Sequence, residues 1–204
     1  MDSIFVTQEH QLLRDQIARF ITEEVLPNGD EWEGNGQIPR GVLRKLGEMG
    51  VLGLRVPLKY GGSELDTLAA VVLAEALAQC TYGGFTATVA VHTDMASPHL
   101  INSGTEAQKQ RYLPGVVTGE IITAIAVTEP DSGSDVQGLR TRAVRDSGGW
   151  RINGRKVYIT NGVLADLVLV AARTDLNSKP SRGISMFLVE RATPGFTVSR
   201  QLEK

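Results

Sequence analysis

A short stretch in the second half of the chain concentrates groups that commonly contact ligands. Residues 126–135 read AVTEPDSGSD and combine three hydroxyls, three carboxylates and one glycine. The hydroxyl donors belong to Thr128, Ser132 and Ser134. Gly133 permits backbone conformations that bring N–H groups close to a ligand, so the stretch suits a polar or phosphate-bearing ligand. From the residues alone, the simpler interpretation is a Ser- and Asx-rich surface turn capped by Asp135.

Other reactive side chains give weaker signals. His92 and His99 lie on a predicted helix, where an isolated histidine is more often a packed or surface residue than a ligand. Cys80 ends the apolar run LAAVVLAEALAQC and is predicted to be a buried, inert thiol. Because it is the only cysteine, it excludes an intramolecular disulfide and a multi-cysteine metal site. We predict no metal site.

The first part of the chain is predicted to be helical. An apolar stripe with the period of one helix face predicts a first helix, with Thr7 as its N-cap and Pro27 as its stop. The stripe consists of Leu13, Ile17, Phe20, Ile21 and Val25. A second helix is predicted after Pro39, ending just before Gly50. Its inward side chains are Val42, Leu43, Leu46 and Met49.

Three more helices complete the predicted helical part. The run from Thr67 to Ala78 is apolar on nearly every side, which predicts a helix buried all round. The string TATVAVHTDMASPHLIN predicts another helix that ends near Gly104. Thr105 and Gln108 have the spacing of a capping box, which predicts a helix from there to about Leu113.

After Gly119 the spacing of apolar residues changes from that of helices to that of β-strands. The segments IITAIAVT, LRTRAVRD, WRINGRKVYIT, DLVLVAART, ISMFLVE and FTVSR are short, rich in β-branched and aromatic residues, and bounded by turn formers. Residues 146–149, DSGG, form a hairpin-type turn signal, and Asn153-Gly154 is a second tight-turn signal. We therefore predict an α+β fold with an all-α domain at residues 1–119. An antiparallel β-barrel or sandwich domain of roughly six to eight strands follows at 120–204.

Composition narrows the function class. Twenty-one basic and 23 acidic residues give a net charge of −2, and the two signs are interspersed. Since nucleic-acid binding needs a basic patch or stripe, we predict no nucleic-acid partner. Neither a signal peptide nor a run of about 18 apolar residues is visible, so we predict a cytoplasmic protein without a membrane span.

Several ordered motifs resemble the acyl-CoA dehydrogenase family. The string AVTEPDSGSDVQG is similar to that family's signature, and KVYITNG resembles its second flavin-contacting strand. YGGSELD and VAVHTDMASPHLINSGTEAQKQRYLP match upstream, and GISMFLVERATPGF matches downstream, all in the family's order. The resemblance covers nearly the whole chain. Two departures are Tyr158, where the family usually has Trp, and Glu64, where a small residue is more common.

This resemblance implies an FAD cofactor and assigns residues to it. Those assigned to the flavin are Ile125, Ala126, Val127, Thr128, Gly133, Ser134, Tyr158, Ile159 and Thr160. The resemblance places Thr128 at the pyrimidine edge of the ring and Thr160 near the flavin N5. Ser134 also matches a residue that contacts the acyl-CoA ligand, and Met95 is a candidate for the acyl-chain tunnel, with ordinary core packing as the alternative.

The resemblance further implies α,β-dehydrogenation of an acyl-CoA thioester. The family's catalytic base is a Glu in a C-terminal helical domain, which we expect to be missing from this chain, so we predict no catalytic residue here and an inactive fragment. Glu129 lies in the signature but does not act as base in the family. A homotetramer at full length and electron transfer to an electron-transfer flavoprotein are also implied. The alternatives are a flavin-dependent monooxygenase on the same fold and a truncated, non-catalytic binding or assembly homologue.

Overall fold

The structure is a computed structural model that describes residues 5–175, 177, 179 and 182–202. The chain divides into two compact units, a helical unit up to Ile122 and a sheet unit from Thr123 to Leu202. The helices are α1 (Gln8–Phe20), α2 (Gly29–Gly34), α3 (Arg40–Glu48), α4 (Thr67–Ala78), α5 (Gly83–Ala90), α6 (Ser97–Ser103) and α7 (Glu106–Thr118). A π-helical turn follows α1 (Ile21–Val25), and another joins α5 to α6 (Val91–Ala96). Within the described ranges, no helix is long and apolar enough to cross a membrane.

Helix α1 begins and packs as its sequence predicts. The Thr7 hydroxyl accepts a hydrogen bond from the His10 backbone N–H, and the Thr7 N–H donates to Nδ1 of His10 at 3.2 Å. Because Nδ1 accepts, the ring proton lies on Nε2, which donates to Oδ1 of Asp66 at 3.2 Å. Asp66 is the N-cap of α4 and accepts from the Ala69 N–H at 3.0 Å, so His10 links two helix starts. All five residues of the predicted apolar stripe are buried.

Two helices differ from the prediction in how much they bury. In α3, Val42, Leu43 and Leu46 are buried, whereas Met49 is half-buried at the C-cap. The prediction that α4 is buried all round is wrong. Its Val71 is 45% exposed. The side facing the core holds Ala69, Val72, Leu73, Ala76 and Leu77. Apolar residues all round a helix therefore do not guarantee burial all round, because a surface helix can also expose alanine and valine.

Helix α7 has the predicted start but continues past the predicted end. Thr105 and Gln108 form the expected capping box. The helix runs through Pro114 to Thr118 because Leu113, Val116 and Val117 on its inner face are all buried. It ends at Gly119, whose φ of 74° is the left-handed conformation typical of a residue just past a helix C-terminus.

The sheet unit contains one mixed sheet of five strands within the described residues. The strands are β1 (Thr123–Ala126), β2 (Arg142–Asp146), β3 (Gly149–Asn153), β4 (Leu167–Arg173) and β5 (Ile184–Glu190). The order is β1-β4-β2-β3, and β5 pairs with β4. β4 pairs in parallel with β1, Thr123 lying opposite Leu167, and antiparallel with β5. β4 is buried almost throughout, which is typical of a strand with neighbours on both sides and an apolar sequence.

The antiparallel prediction is therefore wrong in part. The β2–β3 hairpin is antiparallel and closes through the predicted turn, with Asp146 opposite Gly149. The β1–β4 pair is parallel because the chain travels through this hairpin and a long loop before β4 begins, which is the crossover a parallel pair requires. Alternation of polar and apolar residues shows which face of a strand is buried, but not the direction of its neighbour. The segments predicted as strands at 156–160 and 196–200 form no strand in the structure.

Candidate functional site

The two segments that the sequence assigns to one ligand lie side by side at the end of β1. The Val157 N–H donates to the Thr128 carbonyl at 3.0 Å. The Lys156 ammonium donates to the Val127 carbonyl at 2.8 Å. Further along, the Asn161 side-chain amide donates to the carbonyl of Thr123 at 3.2 Å. These contacts join β1 and the two residues that follow it to the loop 156–161.

Glu129 anchors the first segment from inside the unit. It is only 6% exposed, and its carboxylate accepts from the backbone N–H of Arg140 at 2.6 Å and of Thr141 at 2.9 Å. The Lys156 ammonium lies 2.8 Å from the same carboxylate. Burial by itself raises the pKa of Glu129, but the Lys156 bond and these N–H donors outweigh burial and lower the pKa to about 2. Glu129 is therefore an ionised acceptor that is already occupied, which argues against a role as catalytic base.

The bend after Glu129 is held by its own hydrogen bonds. The Glu129 N–H donates to the Ser132 carbonyl at 2.8 Å, and the Ser132 N–H returns a bond to Glu129 at 3.2 Å. The Ser132 hydroxyl donates to the Asp135 carbonyl at 2.6 Å, and Asp135 caps a short 3₁₀ turn by accepting from the Gln137 N–H. Two of the polar side chains in the motif therefore build the turn, as the surface-turn interpretation predicts.

The tip of this bend exposes Gly133 and Ser134. A Cβ atom placed on Gly133 would meet nothing within 4 Å, and its φ lies outside the left-handed range. Neither the sterics nor the backbone conformation of this unit therefore requires glycine at that position, and the predicted role of Gly133 toward a ligand stays a prediction. Ser134 presents its hydroxyl at the surface.

The second segment is a strained loop rather than the predicted strand. Tyr158 has φ 57° and Asn161 has φ 64°, both in the left-handed region. Asparagine tolerates that region, but a bulky aromatic residue adopts it rarely and at a cost. The Tyr158 ring is 74% exposed, so no packing within its unit explains the conformation. Strained residues of this kind cluster at ligand sites, where the surrounding structure fixes them.

Ile159 and Thr160, between the two left-handed residues, face different surroundings. Ile159 is half-buried against the apolar cluster under β1 and β4, which contains Ala124, Ala126, Ala165, Val168 and Val170. Thr160 is exposed. Among the described residues, neither the Thr160 hydroxyl nor the half-buried Thr128 hydroxyl has a protein hydrogen-bond partner, which leaves both donors for a ligand.

Comparison with known families decides the class of protein. The model of the acyl-CoA dehydrogenase N-terminal domain matches residues 7–120, and the model of the middle domain matches residues 124–204. This chain belongs to the acyl-CoA dehydrogenase family. The resemblance inferred from its motifs is thus confirmed, and the helical part followed by a sheet is the arrangement of those two domains.

Three relatives show how far the similarity of this chain extends. The long-chain specific acyl-CoA dehydrogenase of Mus musculus, a mitochondrial protein, is 42% identical over 201 residues, covering 97% of this chain and 46% of the mouse protein. The structure of an acyl-CoA dehydrogenase from Geobacillus kaustophilus is 44% identical, with a TM-score of 0.94, covering 99% of this chain and 53% of that one. An acyl-CoA dehydrogenase from Bacillus anthracis, solved complexed with FAD, is 35% identical, with a TM-score of 0.85, covering 97% and 33%. The chain spans about half the length of the first two relatives.

The side chains assigned to the flavin by resemblance differ in chemistry and in exposure. Tyr158 offers an aromatic face, Thr128 and Thr160 offer hydroxyls, and Ile125 is half-buried in β1, three residues before Thr128. Met95, the other predicted contact, lies in the helical unit on the π-helical turn Val91–Ala96 and is 52% exposed. In the described residues, no group of three His, Cys, Asp or Glu side chains is placed to hold a metal ion.

Sequence reasoning missed the two residues that tie the site together. Lys156 is the first residue of the motif KVYITNG, but nothing in the motif indicated its role, and no sequence pattern pointed to Thr141. Thr141 is buried, and Gly154 lies so close to it that a Cβ there would clash with the Thr141 side chain and lie 2.7 Å from its Cα. A buried lysine could have been suspected from its position in an alternating stretch, but the sequence does not show which carboxylate it meets.

Proposed function

We propose that this chain supplies the N-terminal helical domain (1–119) and the middle β domain (120–204) of an FAD-dependent acyl-CoA dehydrogenase. The reaction is α,β-dehydrogenation of an acyl-CoA thioester to the enoyl-CoA. The observation that carries the proposal is the convergence of Thr128 and the strained Tyr158 loop, held together by the Val157 N–H and the Lys156 ammonium. The relative from Bacillus anthracis, solved with FAD, supports the same cofactor.

The residues assigned to FAD come from both segments of the site. They are Ile125, Ala126, Val127, Thr128, Gly133, Ser134, Tyr158, Ile159 and Thr160. Tyr158 supplies a ring for stacking, a smaller surface than the tryptophan usual in the family. The unpartnered hydroxyls of Thr128 and Thr160 supply hydrogen bonds to the polar edges of the flavin. FAD, when bound, supplies the acceptor for the hydride that leaves the β-carbon of the substrate.

Two further residues are assigned to the acyl-CoA. The exposed hydroxyl of Ser134 is a donor for this ligand, and Met95 presents a flexible apolar side chain suited to an acyl tail. The α-proton requires a carboxylate base. Glu129 is unsuited because its acceptor positions are filled and its pKa is lowered to about 2. We therefore assign the base to a residue outside this sequence, as expected for a C-terminal domain.

The proposed partners follow from the family resemblance. We propose a homotetramer at full length, with electrons passed to an electron-transfer flavoprotein. The predicted cytoplasmic location stays a prediction, and the mouse relative is mitochondrial. Chain length and branching of the acyl group are also left to experiment.

The test uses the longest native polypeptide that carries this sequence. An absorbance scan of the purified protein should show bound FAD, and anaerobic addition of straight-chain and branched acyl-CoAs should bleach the flavin band. A yellow protein that no acyl-CoA bleaches would contradict the dehydrogenase and favour the monooxygenase alternative. A colourless protein that does not take up added FAD would overturn the flavin site itself.

A further inference from the structure

The Lys156 ammonium occupies a position where it bonds to both ends of one short segment. It donates to the Val127 carbonyl and to the Glu129 carboxylate, each at 2.8 Å. The two side chains of the pair are largely buried, at 11% exposure for Lys156 and 5% for Glu129. The other ion pairs found among the described residues of the sheet unit lie at the surface; in the Arg151–Asp146 pair, for example, the arginine side chain is 79% exposed.

This buried pair connects directly to the strained loop. Tyr158 follows Lys156 by two residues, and the intervening Val157 N–H is bonded to the Thr128 carbonyl. Lys156 and Val157 are therefore both fixed to the end of β1, immediately before the backbone enters the left-handed conformation at Tyr158. On the other side, Glu129 is fixed by the N–H groups of Arg140 and Thr141.

A buried ion pair is a poor source of net stability, because the cost of removing both charges from water offsets their attraction. It does fix the register of the segments that carry it, since neither charge can move away without losing its partner. The strain at Tyr158 persists only where the neighbouring structure holds it.

We infer that the Glu129–Lys156 pair is a positioning device that holds the Tyr158 ring in the conformation required to stack on FAD. The inference rests on the proposed FAD site. Lys156 and Glu129 are positioning residues because they act through Tyr158 rather than by touching the cofactor.

The experiment measures FAD binding to the longest native polypeptide after its bound FAD has been removed. The variants are Lys156→Met, Lys156→Arg, Tyr158→Ala and the Lys156→Met/Tyr158→Ala double variant, with Arg151→Met as the matched control. Lys156→Met should weaken FAD binding by about tenfold or more, because a misplaced loop loses its preorganisation. Lys156→Arg should restore part of the affinity, and Arg151→Met should bind FAD as the wild type does. The visible circular dichroism of bound FAD should change in Lys156→Met in the same direction as in Tyr158→Ala.

The double variant separates positioning from general damage. If Lys156 acts through Tyr158, the loss of affinity in the double variant is smaller than the product of the two single losses. A loss equal to that product, or wild-type affinity and spectrum in Lys156→Met, would overturn the inference. If Lys156→Met does not fold, Lys156→Met/Glu129→Gln removes both charges and takes its place in the cycle. Failure of the wild type to bind FAD would instead refute the proposed function.

Discussion

The helical and sheet units each bury an ionisable side chain, which is neutral in the helical unit and charged in the sheet unit. His92, in the helical unit, is 1% exposed, and burial lowers its pKa to about 4 despite a hydrogen bond from Nε2 to the Val116 carbonyl. His92 is therefore neutral at neutral pH. Glu129, in the sheet unit, is 6% exposed, and burial favours its neutral form as well. Its donors reverse that effect and lower the pKa to about 2, so Glu129 is ionised.

The difference shows that partners, and not burial alone, decide whether a buried group keeps its charge. The hydrogen bond between Nε2 of His92 and the Val116 carbonyl does not offset the loss of water around a cation. Glu129 has a cationic partner and two backbone donors, which replace the water that its carboxylate loses. The neutral side chain serves helix packing, whereas the charged one fixes a bend beside the candidate site.

The largest effect is expected when the acceptor at Glu129 is removed. Glu129→Leu leaves the Lys156 ammonium and the N–H groups of Arg140 and Thr141 buried without their acceptor, which should cost about 3–5 kcal/mol of the free energy of unfolding. Urea denaturation followed by circular dichroism measures this change. The matched control is Glu24→Leu, which breaks the exposed Lys45–Glu24 pair and should cost less than about 1 kcal/mol. Equal losses in the two variants would show that the donors around Glu129 are unimportant.

The lowered pKa values of His92 and Glu129 predict two successive pH ranges in which the free energy of unfolding decreases as the pH falls. Both pKa values are lowered in the folded state, so each contribution is complete above the unfolded pKa and is lost as pH falls. For His92 the loss runs from pH 6.5 down to about 4, and for Glu129 from 4.5 down to about 2. Each interval corresponds to about 3 kcal/mol.

The two windows are separated by comparison with variants that do not titrate. The stability difference between wild type and His92→Gln should be flat above pH 6.5 and should decline below it. The difference between wild type and Glu129→Gln should stay flat down to pH 4.5. A Glu129→Gln difference that already declines between pH 8 and 6 would contradict the assignment of the lower window to this carboxylate.

A smaller contrast is expected between two glycines, one in each unit. Gly154→Ala places a methyl group against the Thr141 side chain and backbone, which should destabilise the protein by about 1–3 kcal/mol. Gly41→Ala lies in α3 where a Cβ meets nothing within 4 Å, and it should stabilise the helix by up to about 1 kcal/mol. Thermal unfolding of both variants tests the pair. Similar midpoints would mean that the chain at Gly154 can move away from Thr141 without cost.

The helical unit was largely predictable from sequence because its signals are local. Thr7 and Thr105 cap the helices that they were predicted to cap, and the stripe of α1 from Leu13 to Val25 is buried as predicted. Each of these features depends on residues within one or two turns of helix. One exception is the exposure of Val71, which depends on what lies beyond α4 rather than on α4 itself.

The sheet unit was less predictable because pairing is set by distant residues. The sequence correctly predicted the hairpin turn before Gly149 and a strand at β4, but not the parallel pairing of β1 with β4. The motif KVYITNG, which begins at Lys156, has the composition of a strand. Its backbone conformation is set instead by hydrogen bonds to the carbonyls of Val127 and Thr128, nearly thirty residues earlier. Family resemblance supplied the candidate site residues, and the structure supplied the contacts that join their two segments.

The smallest predicted effect tests whether the strain at Tyr158 is real and useful. Asparagine adopts the left-handed conformation more readily than tyrosine, so Tyr158→Asn should stabilise the FAD-free protein by about 1 kcal/mol while weakening FAD binding. Tyr158→Phe is the matched control, because it keeps both the ring and the strain and should change neither quantity. Urea denaturation without FAD and FAD titration measure the two effects on the same preparations. If Tyr158→Asn is less stable than Tyr158→Phe, the left-handed tyrosine is not strained, and its conformation no longer argues for a ligand at this loop.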